Sequence, residues 1–324
     1  MPIQRTVIGS FPTQPISISH EEAIRKAIEL QLDNGIHVVS DGEPYGDMKD
    51  YVTQNPGIEL AYMGIKFTDR IWHADDPSKN LDPDKCWKIQ DYKAARSYLD
   101  GKGRKDVKVK IALTGPISLV FFGKCGGLYE SLGPYEKLSY EELYSDSVKV
   151  VGSIARRAVE LGSYLQIDEP YLTEILPESV NDVLNSLFKS LTKSAIKEER
   201  VSIHVCRQLG KAYYDELVKL ENVPILNIPF SGYQERKNLD VITRESLEEN
   251  GKKLVAGIIS NTEIEDVATV LKTLKDVSEK AGAENISFVS PICGFLKKPP
   301  EIVGPILKNM KEASELFIQS SKGQ

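Results

Sequence analysis

Cysteine and histidine are scarce in this sequence, which has only four of each among its 324 residues. The cysteines lie far apart, at positions 86, 125, 206 and 293, whereas a disulfide framework is typical of short chains with closely spaced cysteines. The N-terminus, MPIQRTVIGSFP, has no basic stretch followed by an apolar one, as a secretory signal would. We therefore predict reduced thiols and a cytoplasmic protein.

Long apolar runs and an excess of basic residues are also missing. A transmembrane helix needs about 18 or more consecutive apolar residues, and no such run occurs. The formal net charge is −6, whereas a general nucleic-acid-binding protein needs a basic surface to displace phosphate counterions. We therefore expect neither a membrane nor a nucleic-acid partner.

Eight apolar stretches of strand length are present, and helical patterns follow nearly all of them. The stretches are residues 6–11, 36–43, 108–116, 164–170, 201–206, 224–230, 253–259 and 286–293. Almost continuous apolar runs are typical of parallel strands that are covered on both faces. Helix starts are indicated by three pairs at capping-box spacing: Ser19 with Glu22, Ser139 with Glu142, and Thr262 with Glu265.

Eight strand–helix units predict an α/β fold, a closed (β/α)8 TIM barrel, rather than an open doubly wound sheet. The open sheet usually carries a glycine-rich phosphate turn after its first strand, but TVIGSFPTQP has a single glycine. We predict one catalytic domain over residues 1–324, with insertions at about 44–107 and 123–137 in strand-to-helix loops. The first insertion is predicted to hold a hairpin within 62–85 and a helix near 87–99.

Polar side chains gather near the ends of the predicted strands. They are Ser10, Asp41, Glu43, Asp168, Glu169, His204, Cys206, Asn227 and Cys293. Buried carboxylates and thiols are costly unless they are paired or bound to something. The carboxyl ends of all strands of a barrel open at one face, where barrel enzymes build their active sites. We therefore predict that these residues converge on one site.

His204 and Cys206 are two residues apart on a predicted strand, so both side chains point to the same face. Cys293 is expected to come from a neighbouring strand once the barrel closes. Imidazole and thiolates are the ligands that zinc prefers, and three protein ligands leave one position open. Packing is an equally good explanation of the pattern alone, because a buried cysteine is commonly a small hydrophobe.

The chain resembles the catalytic C-terminal domain of cobalamin-independent methionine synthase from end to end. The matching segments, in the order of the family, are TVIGSFP (6–12), SDGEPYGDMKDYV (40–52), TGP (114–116), QIDEP (166–170), His204-x-Cys206 and SPICG (290–294). Full-length members carry an additional N-terminal barrel, so the resemblance is to a core-only version. It implies a zinc enzyme that transfers a methyl group to the thiol of homocysteine.

The resemblance also implies roles for individual residues. His204, Cys206 and Cys293 match the zinc ligands. The positions that hold the amino-acid portion of homocysteine are matched by Ile8, Gly9, Ser10, Glu43 and Asp168. The two carboxylates are the predicted catalytic residues, since they can pair with a substrate ammonium, while a serine with its neighbouring N–H can meet a carboxylate. The alternative is that both carboxylates only brace the barrel mouth, for example by pairing with Arg207.

Three segments depart from the family pattern. A glutamate ligand is expected near LNIPFSG, but Asn227 and Pro229 stand there and the next carboxylate is Glu235. The fourth metal position therefore belongs to Glu235, to water or to another residue. ISNTE (259–263) replaces an Asp-x-His-Ser segment, so the histidine that would relay a proton is absent there. Phe122 aligns with the tryptophan that stacks on a folate donor and is predicted to contact the substrate.

The prediction for function is a zinc-dependent homocysteine methyltransferase. Its methyl donor is expected to be methyltetrahydrofolate or a methyl-corrinoid, which could be protein-bound. One alternative is a zinc-dependent alkyltransferase that acts on another thiol, such as coenzyme M. The other is a catalytically silent homologue that binds a metal.

Overall fold

A barrel of eight parallel strands with helices between them is the framework of the protein. The computed structural model describes residues 3–12, 17–44, 58–61, 64–67, 82–125 and 139–322, with backbone only for 58–61, 64–67, 122–125 and 321–322. The strands are β1 (Gln4–Arg5), β2 (Val38–Ser40), β3 (Ile58–Ala61), β4 (Gly64–Phe67), β5 (Lys108–Thr114), β6 (Tyr164–Asp168), β7 (Val201–His204), β8 (Ile225–Pro229), β9 (Lys253–Ile259) and β10 (Ile286–Pro291).

The main sheet runs in the order β1-β10-β9-β8-β7-β6-β5-β2, with parallel pairing throughout. A parallel bridge between Thr6 and Val38 links the two outer strands and closes the barrel. The predicted TIM barrel is therefore confirmed. The predicted neighbourhood of Cys293 is wrong, because β8 and β9 separate β10 from β7. Cys293 instead meets the residues after β7 across the open end of the barrel.

Helices follow the strands and cover the outside of the barrel. They are α1 (His20–Asp33), α2 (Trp87–Gly101), α3 (Pro116–Cys125), α4 (Tyr140–Glu160), α5 (Pro177–Phe188), α6 (Lys193–Lys197), α7 (Lys211–Val218), α8 (Arg244–Glu249), α9 (Val267–Ala281) and α10 (Pro300–Lys322). Among the described residues, no helix is both long enough and apolar enough to cross a membrane.

Two of the three predicted helix starts are confirmed. The side chain of Ser19 accepts a hydrogen bond from the Glu22 N–H, and Ser139 and Glu142 form a reciprocal capping box. The third, Thr262 with Glu265, is wrong, since α9 begins later with Asp266 as its cap. The Glu265 carboxylate is engaged elsewhere, because it accepts hydrogen bonds from the Ser231 hydroxyl at 2.8 Å and from the Ser260 N–H at 2.5 Å.

The first predicted insertion contains the expected elements. β3 and β4 pair as an antiparallel hairpin, which begins four residues before the predicted segment 62–85, and α2 covers the helix predicted near 87–99. Residues 45–57, 62–63, 68–81 and 126–138 lie outside the described residues. The domain assignment and the insertion bounds of 44–107 and 123–137 therefore stay predictions.

The barrel interior contains both polar and apolar side chains. A cavity of about 20 Å³ touches Lys110 and Gln166 together with residues of β2, β7, β8, β9 and β10, so it lies inside the barrel. Val38, Ile225, Val255 and Phe288 form a small apolar cluster beside it. The larger apolar core lies between the strands and the surrounding helices. Polar groups inside the barrel therefore need partners from the strands themselves.

Glu169, directly after β6, joins the barrel mouth to the start of α3. Its side chain is fully buried and accepts hydrogen bonds from the Ile117 N–H at 3.0 Å, the Ser118 N–H at 2.8 Å and the Ser118 hydroxyl at 2.7 Å. A Cβ atom at Gly115 would lie 2.1 Å from the nearer carboxylate oxygen. Only glycine leaves room for the carboxylate to reach the helix N-terminus at this position.

The substitution Gly115→Ala should therefore be strongly destabilising. Glu169 would have to withdraw from α3 and lose its hydrogen bonds, at a cost of about 3 kcal/mol in the free energy of unfolding. Gly101→Ala, at the end of α2 with no atom within 4 Å of the added carbon, is the matched control and should change stability by at most about 1 kcal/mol. Urea unfolding followed by circular dichroism measures both. Equal midpoints for the two variants would contradict the role given to Glu169.

Candidate metal and substrate site

One row of register partners crosses four neighbouring strands at the carboxyl end of the barrel. Thr114 of β5 pairs with Asp168 of β6, Asp168 with His204 of β7, and His204 with Asn227 of β8. Residues in register on parallel strands point to the same face of the sheet. The row therefore places a carboxylate beside an imidazole, and both line a cleft of about 410 Å³.

The cleft brings together all the residues to which the resemblance assigns a role and whose side chains the structure describes, whereas Asp41, Glu169 and Asn227, predicted to converge on the same site, are buried outside its lining. Its lining consists of Ile8, Gly9, Ser10, Glu43, Asp168, Pro170, Tyr171, His204, Cys206, Arg207, Asn261, Cys293, Gly294, Leu296 and Lys298. Phe122 belongs to α3, where the structure describes its backbone but not its side chain. Glu235 begins a 3-10 helix after β8 and is not part of this lining. The roles assigned to these residues stay predictions.

His204, Cys206 and Cys293 form a compact group at the bottom of the cleft. The Cys206 sulfur lies 2.9 Å from Nε2 of His204 and 3.4 Å from the sulfur of Cys293. All three potential ligand atoms lie within 4.8 Å of one another. In the described part of the chain, this is the group of histidine, cysteine and carboxylate side chains that could hold a metal ion.

The two thiols of this group do not ionise independently. The hydrogen bond from Cys206 holds the pKa of Cys293 well below its usual value, and His204 lowers it further. The same hydrogen bond and burial raise the pKa of Cys206, because a second thiolate this close would be repelled by the first. A metal cation placed between the sulfurs would remove that repulsion.

Two polar atoms beside this group are buried without a hydrogen-bond partner among the described residues. They are Nδ1 of His204 and Oδ1 of Asn227, which belong to register partners on β7 and β8. A histidine that binds a metal through one ring nitrogen usually donates from the other to a nearby oxygen. Asn227, in the segment where a glutamate was expected, carries an unpartnered oxygen on the neighbouring strand, but that oxygen is not hydrogen-bonded to Nδ1 of His204.

Glu43 reaches the cleft from an unusual backbone conformation. Its φ angle is 50°, in the left-handed region, and its N–H donates to the carboxylate of Asp41 at 3.1 Å. The side chain packs over Gly9, where a Cβ atom would lie 2.7 Å from Oε1 of Glu43. Burial raises the pKa of Glu43 to about 7, although Lys88 opposes the shift.

Lys88 of α2 is the partner of Glu43, at 2.6 Å between Nζ and Oε1. Both side chains are largely buried, which makes this a pair whose separation would be expensive. Glu43 therefore has a buried ion-pair partner, which is Lys88 and not the Arg207 that the alternative named as an example. The guanidinium of Arg207 lies over the ring of Tyr171 instead, 5.7 Å from its centre.

Asp168 is held by a second buried network. Gln166, two residues earlier on β6, donates to Oδ1 of Asp168 at 2.7 Å and accepts from Nζ of Lys110 at 2.6 Å. Burial raises the pKa of Asp168 and lowers the pKa of Lys110 to about 7. Sequence reasoning missed Lys88, Lys110 and Gln166. The signal for the last two was a polar residue within an otherwise apolar strand.

Ser10 ties the first strand-to-helix loop to the loop that carries Cys293. Its hydroxyl accepts from the Leu296 N–H at 3.3 Å, and its carbonyl accepts from the Phe295 N–H at 2.8 Å. Asn261, in the segment that lacks the expected histidine, donates to the carbonyl of Gly294 at 2.6 Å. Three loops are thus fixed to one another around the thiols.

Replacing Lys88 by methionine should destabilise the protein in a pH-dependent way. Near pH 8 the Glu43 carboxylate would be buried without a counter-charge, which lowers the free energy of unfolding by about 3 kcal/mol. In the parent, the raised pKa means that protonated Glu43 contributes to the free energy of unfolding at low pH. This contribution is lost as the pH rises through the folded-state pKa of about 7. The deficit of Lys88→Met should therefore be smaller near pH 5.5, where the carboxyl is protonated, than near pH 8.

The control for this measurement is Lys85→Met. Lys85 is exposed and lies 3.9 Å from Asp82, so its loss should cost at most about 1 kcal/mol at either pH. Urea unfolding of the three proteins near pH 5.5 and near pH 8 gives the comparison. A deficit for Lys88→Met that is absent, or the same at both pH values, would contradict the pairing.

The sequence is similar to a known protein family and to named relatives. Residues 65–282 match the family model described as "Cobalamin-independent synthase, N-terminal domain". The chain is 26% identical to the methionine synthase of Methanothermobacter marburgensis over 330 residues, covering 96% of this chain and 99% of that protein. It is 25% identical to the methionine synthase of Methanocaldococcus jannaschii over 347 residues, covering 96% and 98%.

A solved structure has the same fold over the whole chain. The B12-independent methionine synthase from Shewanella sp. W3-18-1, determined in complex with selenomethionine, superimposes with a TM-score of 0.71 at 15% identity and covers 100% of both chains. The matched family model covers well over half of the sequence, and the two relatives are matched along nearly their full length. The chain therefore belongs to the cobalamin-independent methionine synthase family.

Proposed function

We propose that this protein is a zinc-dependent methyltransferase that methylates the thiol of homocysteine to form methionine. The observation that carries the proposal is the shared cleft, in which Glu43 and Asp168 face the same space as the group His204, Cys206 and Cys293. A substrate with an ammonium group at one end and a thiol at the other fits this pairing. The names of the relatives, methionine synthase, support the same substrate and product.

The donor set suits zinc. One imidazole and two thiols are ligands that zinc prefers, and three protein ligands leave a fourth position for a substrate. Zinc–sulfur bonds of about 2.3 Å at a tetrahedral angle would separate two sulfur atoms by about 3.8 Å. The sulfurs of Cys206 and Cys293 are 3.4 Å apart and Nε2 of His204 lies 2.9 Å from the Cys206 sulfur, so these separations must widen by about 0.4 Å and about 0.6 Å to admit the ion. When bound, zinc would stabilise the thiolate of the substrate at neutral pH.

The remaining residues of the cleft orient the amino acid. Glu43 and Asp168 supply the negative charge that an α-ammonium group requires, and each is held in place by a buried neighbour. The backbone near Ser10 would face the α-carboxylate, as the resemblance implies. With a metal ion held by His204, Cys206 and Cys293, these contacts would place the substrate thiol beside that ion and leave the thiol accessible to the methyl donor.

Coenzyme M fits the cleft less well than homocysteine. It has no ammonium group for the carboxylates of Glu43 and Asp168 to bind, so only Arg207 and Lys298 of the cleft could pair with its sulfonate. We propose either methyltetrahydrofolate or a methyl-corrinoid as the methyl donor. The proposed location of the protein is the cytoplasm.

Purified protein should contain close to one zinc ion per chain. Cys206→Ala and Cys293→Ala should each lose most of it, because removing one of three protein ligands weakens binding by at least about 100-fold. Cys86→Ala is the matched control, since Cys86 is a buried thiol that does not line the cleft and its loss should leave the zinc content unchanged. Atomic emission spectrometry of the dialysed proteins measures the metal.

The same samples test the activity. Methionine formation from homocysteine should appear with methylcobalamin or with methyltetrahydrofolate in the parent and in Cys86→Ala, and should vanish in the two ligand variants. Turnover of coenzyme M with none of homocysteine would overturn the substrate. Full zinc retention in both ligand variants would overturn the metal site, and zinc binding without turnover by either donor would favour the catalytically silent homologue.

A further inference from the structure

The amide of Gln166 lies inside the barrel with all four of its hydrogen-bonding positions filled. Its Oε1 accepts from Nζ of Lys110 at 2.6 Å and from Nδ2 of Asn227 at 3.2 Å. Its Nε2 donates to Oδ1 of Asp168 at 2.7 Å and to the carbonyl of Ile8 at 3.0 Å. The side chain is 1% exposed, so no solvent competes for these bonds.

The two acceptors that Gln166 holds belong to parts of the barrel wall that are separated by two strands, β5 and β2. Asp168 ends β6, whereas Ile8 follows β1, and these strands are not neighbours in the sheet. One amide therefore bridges the interior and fixes two segments of the substrate cleft relative to each other. Both Ile8 and Asp168 are among the residues that line the cleft.

Lys110 holds the oxygen end of this amide and supports the orientation that the acceptors Asp168 and Ile8 require at its nitrogen end. Its amino group donates to Gln166 and to the carbonyl of Val7, and two N–H groups are available for this whether the amine is charged or neutral. If the amide were reversed, its oxygen would face the carboxylate of Asp168 and the carbonyl of Ile8. Three hydrogen-bond acceptors, namely these two groups and the amide oxygen, would then meet without a donor between them. Without Lys110, the oxygen of Gln166 would keep only the longer contact with Asn227.

We propose that Lys110 is a positioning residue for substrate recognition, which orients Gln166 so that Asp168 and the Ile8 backbone are held in the geometry that receives the amino-acid end of the thiol substrate. This inference rests on the proposed function, in which Asp168 meets the ammonium group of homocysteine. Lys110 touches neither the substrate nor the metal group in this arrangement. Its loss should therefore weaken recognition of the amino-acid end and leave the thiol end intact.

The test compares zinc-loaded parent protein with Lys110→Met, which keeps the length of the side chain and removes its donors. The KM for homocysteine and its Kd by calorimetry should rise roughly 10- to 100-fold, while kcat at saturation changes less than about threefold. Binding of 2-mercaptoethanol, a thiol without an amino-acid end, should be unchanged, as should the zinc content. Lys108→Met, at an exposed lysine on the same strand, is the matched control and should behave like the parent.

A second variant, Gln166→Glu, keeps the proposal falsifiable if Lys110→Met does not fold. Its carboxylate can still accept from Lys110 but cannot donate to Asp168 or to Ile8, so homocysteine binding should weaken to a similar extent. Parent-like homocysteine binding in either folded variant, or an equal loss for homocysteine and 2-mercaptoethanol, would overturn the positioning role alone. A parent protein that neither binds nor methylates homocysteine would overturn the proposed function and with it the substrate of this inference.

Discussion

The in-register row from Thr114 through Asp168 and His204 to Asn227 is the constraint on which the rest of the site depends. Parallel pairing turns residues that are far apart in sequence into neighbours on one face, and closure of the barrel aims that face at a single opening. His204 of the candidate metal site and Asp168 of the predicted ammonium site are thus parts of one layer of the sheet, and Glu43, Cys206 and Cys293 join them from the segments that follow β2, β7 and β10. A slip of one residue in any of these strands would turn its member of the row away from the cleft.

A layer of this kind concentrates charge where solvent is scarce. Two buried lysines interact with the two carboxylates. Lys88 pairs directly with Glu43, and Lys110 donates to Gln166, which in turn donates to Asp168. Each carboxylate is thereby fixed before substrate arrives, which reduces the cost of ordering it on binding. The strained backbone of Glu43 and the missing side chain at Gly9 serve the same end, since they let a carboxylate occupy the floor of the cleft.

The sequence was most informative where the signal is local. Seven of the eight barrel strands, the caps at Ser19 and Ser139, and the polar residues at strand ends follow from periodicity and from side chains that act on their own backbone. The first strand is the exception, because it was predicted at 6–11 but is β1 (Gln4–Arg5), followed only by an isolated bridge at Thr6. Other features could not be predicted, because side chains also form hydrogen bonds with residues that only the folded chain brings close. Glu265 has the spacing of a capping box, but Ser231 and the Ser260 N–H claim its carboxylate. The neighbours of Glu43 and Asp168 depend on which side chains the closed barrel brings inward, which no linear spacing reveals.

X-ray absorption spectroscopy at the zinc edge, before and after addition of homocysteine, tests the central claim most directly. The claim is that a zinc ion held by one imidazole and two thiolates of this chain takes the substrate thiol as a further ligand. The account predicts two sulfur neighbours in the resting protein and three once homocysteine is bound. Zinc surrounded by nitrogen and oxygen alone, or a sulfur count that homocysteine does not raise, would contradict it.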